Sequence, residues 1–389
     1  MRENDFSLVN GGPLFRLLSR FGLIKSDAHD AIRRIIFFFL LTWLPVLVLA
    51  AMQDLAWGNR VKVPFLLDFV AHARFLLAIP LLIAAEVVVD LRVTSLGRHF
   101  ATSGLVPPDQ LSNYESAVTE VTRLRDLKIA EVVMLAIAYT VVGFSIPREL
   151  ATDVGGWHVL FSESGGTISF AGWWYALVSI PTFQLLTYRW LWRIIIWTRF
   201  LWRMSRLDLQ LVPTHADLAG GLGFLGMTPT AFGIIPFSMG IVLSGVLARE
   251  IVFHGASLPQ FKAGIAVFLA LSLIINFGPL LVFVVKLAVT KRKGLLQYGA
   301  LTSKHDHSFY RKWVIGEKPD SDTILGNPDV SSLADLGSSY ERIQNMRLVP
   351  VNLRAIIWVT VAASIPLLPL LLTVYPLDEL LEKILQIFV

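Results

Sequence analysis

Apolar runs of helical length recur along this chain, separated by polar and often cation-rich connectors. Seven runs stand out, at about 35–52, 73–91, 129–147, 172–192, 227–249, 263–286 and 355–375. Each approaches the roughly 20 residues a helix needs to cross hydrocarbon. Backbone groups in lipid must bond within their own segment, so these runs predict helices rather than strands. The expected fold is an all-α integral membrane protein. It has about seven transmembrane helices, cytoplasmic helical extensions and amphipathic terminal helices.

The connectors divide the chain further. Residues 1–34 form an N-terminal segment in which Leu14, Leu17, Leu18 and Phe21 alternate with Arg16 and Arg20. That spacing suits a short interfacial helix, with a tethered tail as the alternative. Residues 35–286 hold six runs. Within them, Pro107-Pro108 followed by Ser112-x-x-Glu115 predicts a helix start with a capping box. That helix is expected to continue through Glu120, Arg125 and Lys128 into the third run. Residues 287–354 form a cytoplasmic cap, with a helix from Ser331 or Ser332, Asp335 as its cap partner, to about Met346. Residues 355–389 hold the last run and an amphipathic tail, where Leu380, Leu381, Ile384, Leu385 and Phe388 keep helical spacing. The tail suits an interfacial helix or an oligomer contact.

Composition agrees with a membrane class. The chain is 54% hydrophobic and 16% charged, with a mean hydropathy of +0.62. Soluble domains carry about 25% charged residues. Cysteine is absent, which excludes disulfides and thiolate metal sites. The first long apolar run follows Arg33-Arg34 without a small-residue cleavage site, so it reads as a membrane helix rather than a signal peptide.

Charge sets the expected orientation. Alternate connectors hold 27 of the 34 lysines and arginines, against seven on the other side. The cation-rich side is cytoplasmic by the positive-inside rule, so the N-terminus is inside and the C-terminus outside. The segment with Arg148, Glu149, Asp153 and Glu163 is acidic and suits the outer side. Trp173 and Trp174 fit an outer aromatic belt, and Trp190 and Trp192 an inner one.

Candidate chemistry concentrates where a basic connector meets the fifth run. There Leu209 to Gly226 places His215 and Asp217 before Gly220, Gly221, Gly223 and Gly226. Gly221, Gly223 and Gly226 match Gly-x-Gly-x-x-Gly formally. A dinucleotide site is rejected, because a basic helix precedes the glycines and no acid follows in Met227 to Ala248. No P-loop lysine is present. The glycines suit close helix packing or a helix opening whose N–H groups favour an anion. Asp217 is expected to cap a helix starting at Leu218. His215 and Asp217 are weak metal candidates, as are His305 and His307 on the same expected side.

Two further features point to a solute path. The fifth run is interrupted by Pro229, Gly233, Pro236 and Gly240, and the sixth by Asn276, Gly278 and Pro279. Paired interrupted spans mark binding sites in transporters, or simply kinked packing. Charge also lies inside runs: Glu86 and Asp90 share a face of the second, and Arg189 and Arg193 a face of the fourth. Buried charge is costly unless paired or hydrated, so these acids and arginines are expected to meet or to share water. Glu131 is expected to snorkel, and the arginines from Arg189 to Arg206 to face phospholipid.

The motif His215-Ala-Asp-Leu-Ala-Gly-Gly-Leu-Gly-Phe-Leu-Gly226, with Gly326-Asn-Pro-Asp-Val-Ser-Ser-Leu-Ala-Asp-Leu-Gly337, resembles a family of uncharacterised bacterial multi-pass inner-membrane proteins. Their first motif reads His-Pro-Asp-x-Ala-Gly-Gly-Leu-Gly-Phe, and this chain has Ala216 in place of the proline. The resemblance implies a bacterial inner-membrane location and lends no activity.

The leading expectation is a transporter or channel for a small charged solute. Its path is lined by the fifth and sixth spans, with the 209–226 turn as cytoplasmic mouth. A non-catalytic scaffold or regulatory subunit is the alternative. A membrane enzyme acting on phosphorylated or lipid-linked substrate ranks third. Expected partners are the lipid bilayer, a further copy of the chain and a cytoplasmic protein. Neither nucleic acid nor a cofactor is expected.

Overall fold

The computed structural model describes residues 6–25, 29–151, 156–162, 165–316 and 329–373. The expectations for 377–389, for Gly326-Asn327-Pro328 and for Asp153 and Glu163 lie outside them.

The described residues are overwhelmingly helical. In order, the α-helices are α1 (Pro13–Arg20), α2 (Asp30–Thr42), α3 (Leu44–Met52), α4 (Phe69–His72), α5 (Ile79–Thr102), α6 (Leu111–Arg125) and α7 (Lys128–Ala151). After a small antiparallel hairpin of β1 (Val159–Ser162) and β2 (Gly165–Ile168) come α8 (Phe170–Trp174), α9 (Ile180–Arg206) and α10 (Thr228–Phe232). Then follow α11 (Ile234–His254), α12 (Lys262–Phe277), α13 (Val284–Tyr310), α14 (Asp329–Gln344) and α15 (Leu353–Ser364).

Five stretches are long and apolar enough to cross a membrane: Asp30–Met52, Lys128–Pro147, Gly223–His254, Leu258–Ile315 and Leu353–Thr373. Each leaves apolar side chains exposed among the described residues. On α7, Ile129, Val132 and Phe144 are each more than 60% exposed. Apolar surface of that extent needs lipid to cover it. The runs at 73–91 and 172–192 also become long helices, α5 and α9. They are more polar, holding Glu86 and Asp90 in one and Arg189 and Arg193 in the other.

Proline shapes these helices, and neighbouring side chains mend the damage. Pro45 has no N–H for the carbonyl of Leu41, and the first run breaks into α2 and α3. Trp174 Nε1 donates to that carbonyl instead, at 3.1 Å. Pro80 and Pro181 each follow a π turn, at Ala73–Ala78 and Tyr175–Ser179. The Tyr139 hydroxyl donates to Leu177 O, the carbonyl four residues before Pro181, at 3.0 Å. The interruptions expected in the fifth and sixth runs are also present. Gly233 separates α10 from α11, and a 3-10 segment, Gly278–Phe283, separates α12 from α13.

Several local expectations need correction. The helix after Pro107-Pro108 begins with a 3-10 turn, Pro108–Gln110, and Gln110 precedes α6 without a side-chain cap. Ser112 therefore lies inside the helix and the capping box does not form. Nor does this helix run into the third span: the chain breaks at Asp126-Leu127 before α7 starts at Lys128. The helix expected from Ser331 or Ser332 starts at Asp329 and ends at Gln344. Trp190 is buried rather than at a belt, and its Nε1 donates to Leu82 O at 3.1 Å.

The N-terminal segment is no tether. Phe6, Leu8 and Val9 are buried, and the Phe6 ring stacks on Phe200 with centroids 4.5 Å apart. Phe100, Trp197, Phe224 and Phe283 complete this aromatic core. Only α1 keeps the amphipathic character expected, with Leu18 buried and Leu17 exposed.

Glycine brings α11 against its neighbours. A Cβ added at Gly245 would lie 2.9 Å from both Phe69 O and Ala73 Cβ, and one at Gly240 would lie 2.7 Å from Ala363 O. Small residues permit such backbone approach in lipid. Gly245→Val should therefore lower stability by about 1–3 kcal/mol, read as a fall in the melting temperature of the detergent-purified protein. An unchanged melting temperature would refute this packing.

Candidate functional site

Glu86 on α5 is the acid at the centre of the bundle. It is 5% exposed, and two arginines from other helices reach it. Arg34 on α2 takes Oε2 through Nη1, and Arg193 on α9 takes Oε1 through Nη2 at 2.6 Å. The Arg193 guanidinium also lies over the Trp190 ring, 4.7 Å from its centroid. One turn up α9, Arg189 Nε lies 3.5 Å from Glu131 Oε1 on α7. Four helices thus contribute three arginines and two glutamates to one network, buried except at the half-buried Glu131.

The structure brings together Glu86, Arg189 and Arg193, as expected, but recruits partners that sequence reasoning had placed elsewhere. Arg34 is a ligand of Glu86, not a flanking charge. Glu131 does not snorkel: besides Arg189, its Oε2 accepts from Leu14 N at 2.8 Å, at the opening of α1. A carboxylate is favourable there because the first turn of a helix leaves its N–H groups free. The arginines farther along α9 do not face phospholipid alone. Arg199 and Arg203 both bind Glu120 on α6, at 2.7 and 3.0 Å.

Asp90 forms no ion pair with Arg189 or Arg193 and spends its hydrogen bonds on the N-terminal segment. Its carboxylate accepts from Ser7 Oγ at 2.7 Å, Leu8 N at 3.0 Å, Val9 N at 3.2 Å and Asn10 Nδ2 at 2.9 Å. Asp126 accepts from Gly12 N at 2.8 Å, and Arg125 donates to Ser7 O at 2.9 Å. Three acids from α5, the α6–α7 break and α7 therefore hold residues 7–14 across the network. No sequence signal pointed to this, because the N–H groups of an irregular segment carry no motif.

A small cavity of about 20 Å³, room for about one water, lies under this segment. Gly12, Arg125, Glu131, Arg189, Trp192 and Arg193 are among the residues that line it. Among the described residues, Trp192 Nε1 is buried without a hydrogen-bond partner.

The 209–226 turn forms a separate site. Asp217 does not cap a helix at Leu218, which has φ +54°. Instead its carboxylate sits inside a loop and accepts from Ala219 N at 2.8 Å, Gly221 N at 3.2 Å and Gly223 N at 2.7 Å. The anion that these N–H groups favour is the chain's own. The glycines follow from that wrapping. Gly220 and Gly221 have φ +66° and +99°, and a Cβ at Gly223 would lie 2.7 Å from Asp217 Cβ. Burial raises the Asp217 pKa, but the three N–H bonds and His215 Nδ1, 2.9 Å from Oδ1, outweigh it and hold the carboxyl below its usual value.

The turn is also a clasp. Arg347 donates through N to Leu218 O and through Nη2 to Asp217 O, both at 2.7 Å, and through Nη1 to Val351 O at 2.8 Å. A Cβ at Gly226 would meet Pro350 O at 2.8 Å. His305 is buried on α13, and His307 Nδ1 lies 2.7 Å from Ser303 O in its own helix. Among the described residues, no three His, Cys, Asp or Glu side chains converge as a metal site, so His305 and His307 do not join His215 and Asp217. Asn276 is buried on α12, where Nδ2 donates to Ser272 O at 2.7 Å and Oδ1 has no partner among the described residues.

No protein-family model, curated protein or solved structure matches this chain.

Asp217→Ala should cost about 2–4 kcal/mol, because it strands three N–H groups. A carboxyl lowered by folding adds stability above its unfolded pKa and loses that share as pH falls through the folded value. Thermal melts of the detergent-purified protein from about pH 6 to about pH 3 should show an acid-side fall that Asp217→Ala diminishes. Matching profiles in both proteins would contradict the assignment.

Proposed function

We propose that this chain carries a small charged solute across the bilayer, along a path that passes through the Arg34, Glu86, Arg193, Arg189 and Glu131 network. The supporting observation is that five ionisable groups from four helices, four of them buried, share one mesh. Ionisable residues inside a membrane bundle are costly and mark solute or ion paths. Residues 7–14 would be the inner closure of that path.

This places the path away from the fifth and sixth spans. Gly240 and Gly245 hold α11 against other helices, and the 209–226 turn is packed by Arg347 and Pro350. Those features support a rigid frame beside the path. His215, Asp217 and Asn276 would then stabilise rather than line it.

The same reading counts seven crossings, adding α5 and α9 to the five apolar stretches. Val87, Val88 and Leu91 on α5, and Leu191 and Ile195 on α9, are exposed, which suits helices that touch lipid. With cation-rich connectors inside, the charge network and the N-terminal segment lie toward the cytoplasm and the C-terminus lies outside. The location would be a bacterial inner membrane, as the resemblance of the His215–Gly226 motif implies.

Reconstitution of the full chain into liposomes tests the proposal. The expected result is a saturable flux of a charged solute, absent from protein-free vesicles and altered by Arg189→Gln. No flux under any ion gradient or membrane potential, with a stoichiometric cytoplasmic partner on purification from native membrane, would overturn it in favour of a scaffold.

A further inference from the structure

We infer that α1 is a docking face for anionic phospholipid, with Leu17 and Phe21 against the acyl chains and Arg16, Arg20 and Lys25 at the phosphates. The inference needs only that the apolar stretches meet lipid. It stands apart from the transport reading.

Depth is the first observation. On α7 the exposed apolar band begins in the first turn, at Ile129 and Val132. On α2 it begins as early, at Ile32 and Ile36. Leu14 N, at the opening of α1, donates to Glu131 Oε2 at 2.8 Å. Glu131 lies two residues beyond Ile129, a rise of about 3 Å along the helix. That bond fixes the start of α1 at the level where the lipid-facing band starts.

The second observation is how α1 divides its surface. Leu18 is buried and Leu14 packs against the core, so one face meets protein. Leu17 and Phe21 are 48% and 69% exposed. At 3.6 residues per turn they lie about 40° apart, while Arg20 lies about 60° and Arg16 about 100° round from Leu17. Ser19, also exposed, lies about 180° from the midpoint of Leu17 and Phe21. A helix lying in the interface has this order, with apolar side chains at the acyl boundary and arginines reaching for headgroups.

Charge selects the lipid. Residues 13–25 hold Arg16, Arg20 and Lys25 and no acid. Among the described residues none of these three side chains forms an ion pair, and Arg16 reaches a backbone carbonyl, Asp126 O, at 3.5 Å. The acids that touch the segment are engaged. Asp126 holds Gly12 N and Arg125, Glu131 holds Leu14 N and Arg189, and Asp30 holds Lys25 N and Arg33. Lys128, which opens α7, is exposed and adds to the same sign. Cations at headgroup depth attract anionic lipid within a Debye length. Since Gly12 N and Leu14 N tie α1 to the segment over the charge network, lipid that seats α1 also holds residues 7–14 in place.

The chain has no cysteine, so a single introduced thiol carries a bimane fluorophore at a chosen position. The full chain with Phe21→Cys is labelled and reconstituted into vesicles of equal parts phosphatidylcholine and phosphatidylglycerol. Bromine is placed on the acyl chains of one lipid or of the other. Both brominated lipids should quench the label, and phosphatidylglycerol should do so about threefold more strongly or better. Leu17→Cys should behave alike and serves as the second reporter, whereas a label at Ser19→Cys should escape quenching. Adding Arg16→Gln and Arg20→Gln, both on exposed side chains, should bring the ratio between the two lipids to about one. No quenching at either reporter would overturn the docking face. Equal quenching by both lipids, or a ratio that the arginine changes leave intact, would overturn its preference for anionic lipid. Quenching that fades as more chain is packed into each vesicle would place a second copy on this face and overturn the assignment to lipid.

Discussion

The bidentate hold on Glu86 is the interaction from which the rest of this bundle takes its arrangement. A carboxylate in a hydrocarbon-bounded interior survives as a charge only if cations come to it. Here one comes from α2 and one from α9, so three helices cannot move independently. Glu131 then compensates Arg189, the next arginine on the same face of α9, and ties in α7. The acids that remain, Asp90 and Asp126, order the N-terminal segment over the network. Electrostatics at one level fixes which helices are neighbours, and those neighbours fix where the aromatic core around Phe200 can form.

A second constraint works throughout: no backbone polar group within lipid can go unmet without cost. Prolines at 45 and 181 create unmet carbonyls, and Trp174 and Tyr139 answer them from other helices. Outside the apolar spans, the 209–226 turn meets its own N–H groups with an internal anion. Its glycines admit the left-handed backbone and the close carboxylate that let Asp217 satisfy three N–H groups. Arg347 then locks the segment after α14 to this turn, joining the last apolar helix to the frame.

Much of the architecture was legible in the chain. Apolar length and period located the long helices, because hydrocarbon thickness leaves few alternatives. The pairs Glu86/Asp90 and Arg189/Arg193 were legible as buried charge, since ionisable residues stand out in an apolar run. Their partners were not. Asp90 turned to N–H groups of Leu8 and Val9, and Glu131 to Leu14, because an irregular backbone offers donors that no spacing announces. Arg34 read as a flanking positive charge because its position says nothing of the acid 52 residues away. The glycine cluster was legible as special but not its cause, because the loop curls back so that the anion at its N–H groups is Asp217 itself.

A double-mutant cycle on Glu86 and Arg193, measured by unfolding of the detergent-purified protein, tests the central role of this network most directly. Comparing Glu86→Gln, Arg193→Gln and the double variant isolates the pair's own interaction. The structure requires a coupling energy of about 1.5 kcal/mol or more, with the double variant more stable than the sum of the single losses implies. Additive losses, with a coupling energy near zero, would contradict it and show that Glu86 does not organise these helices.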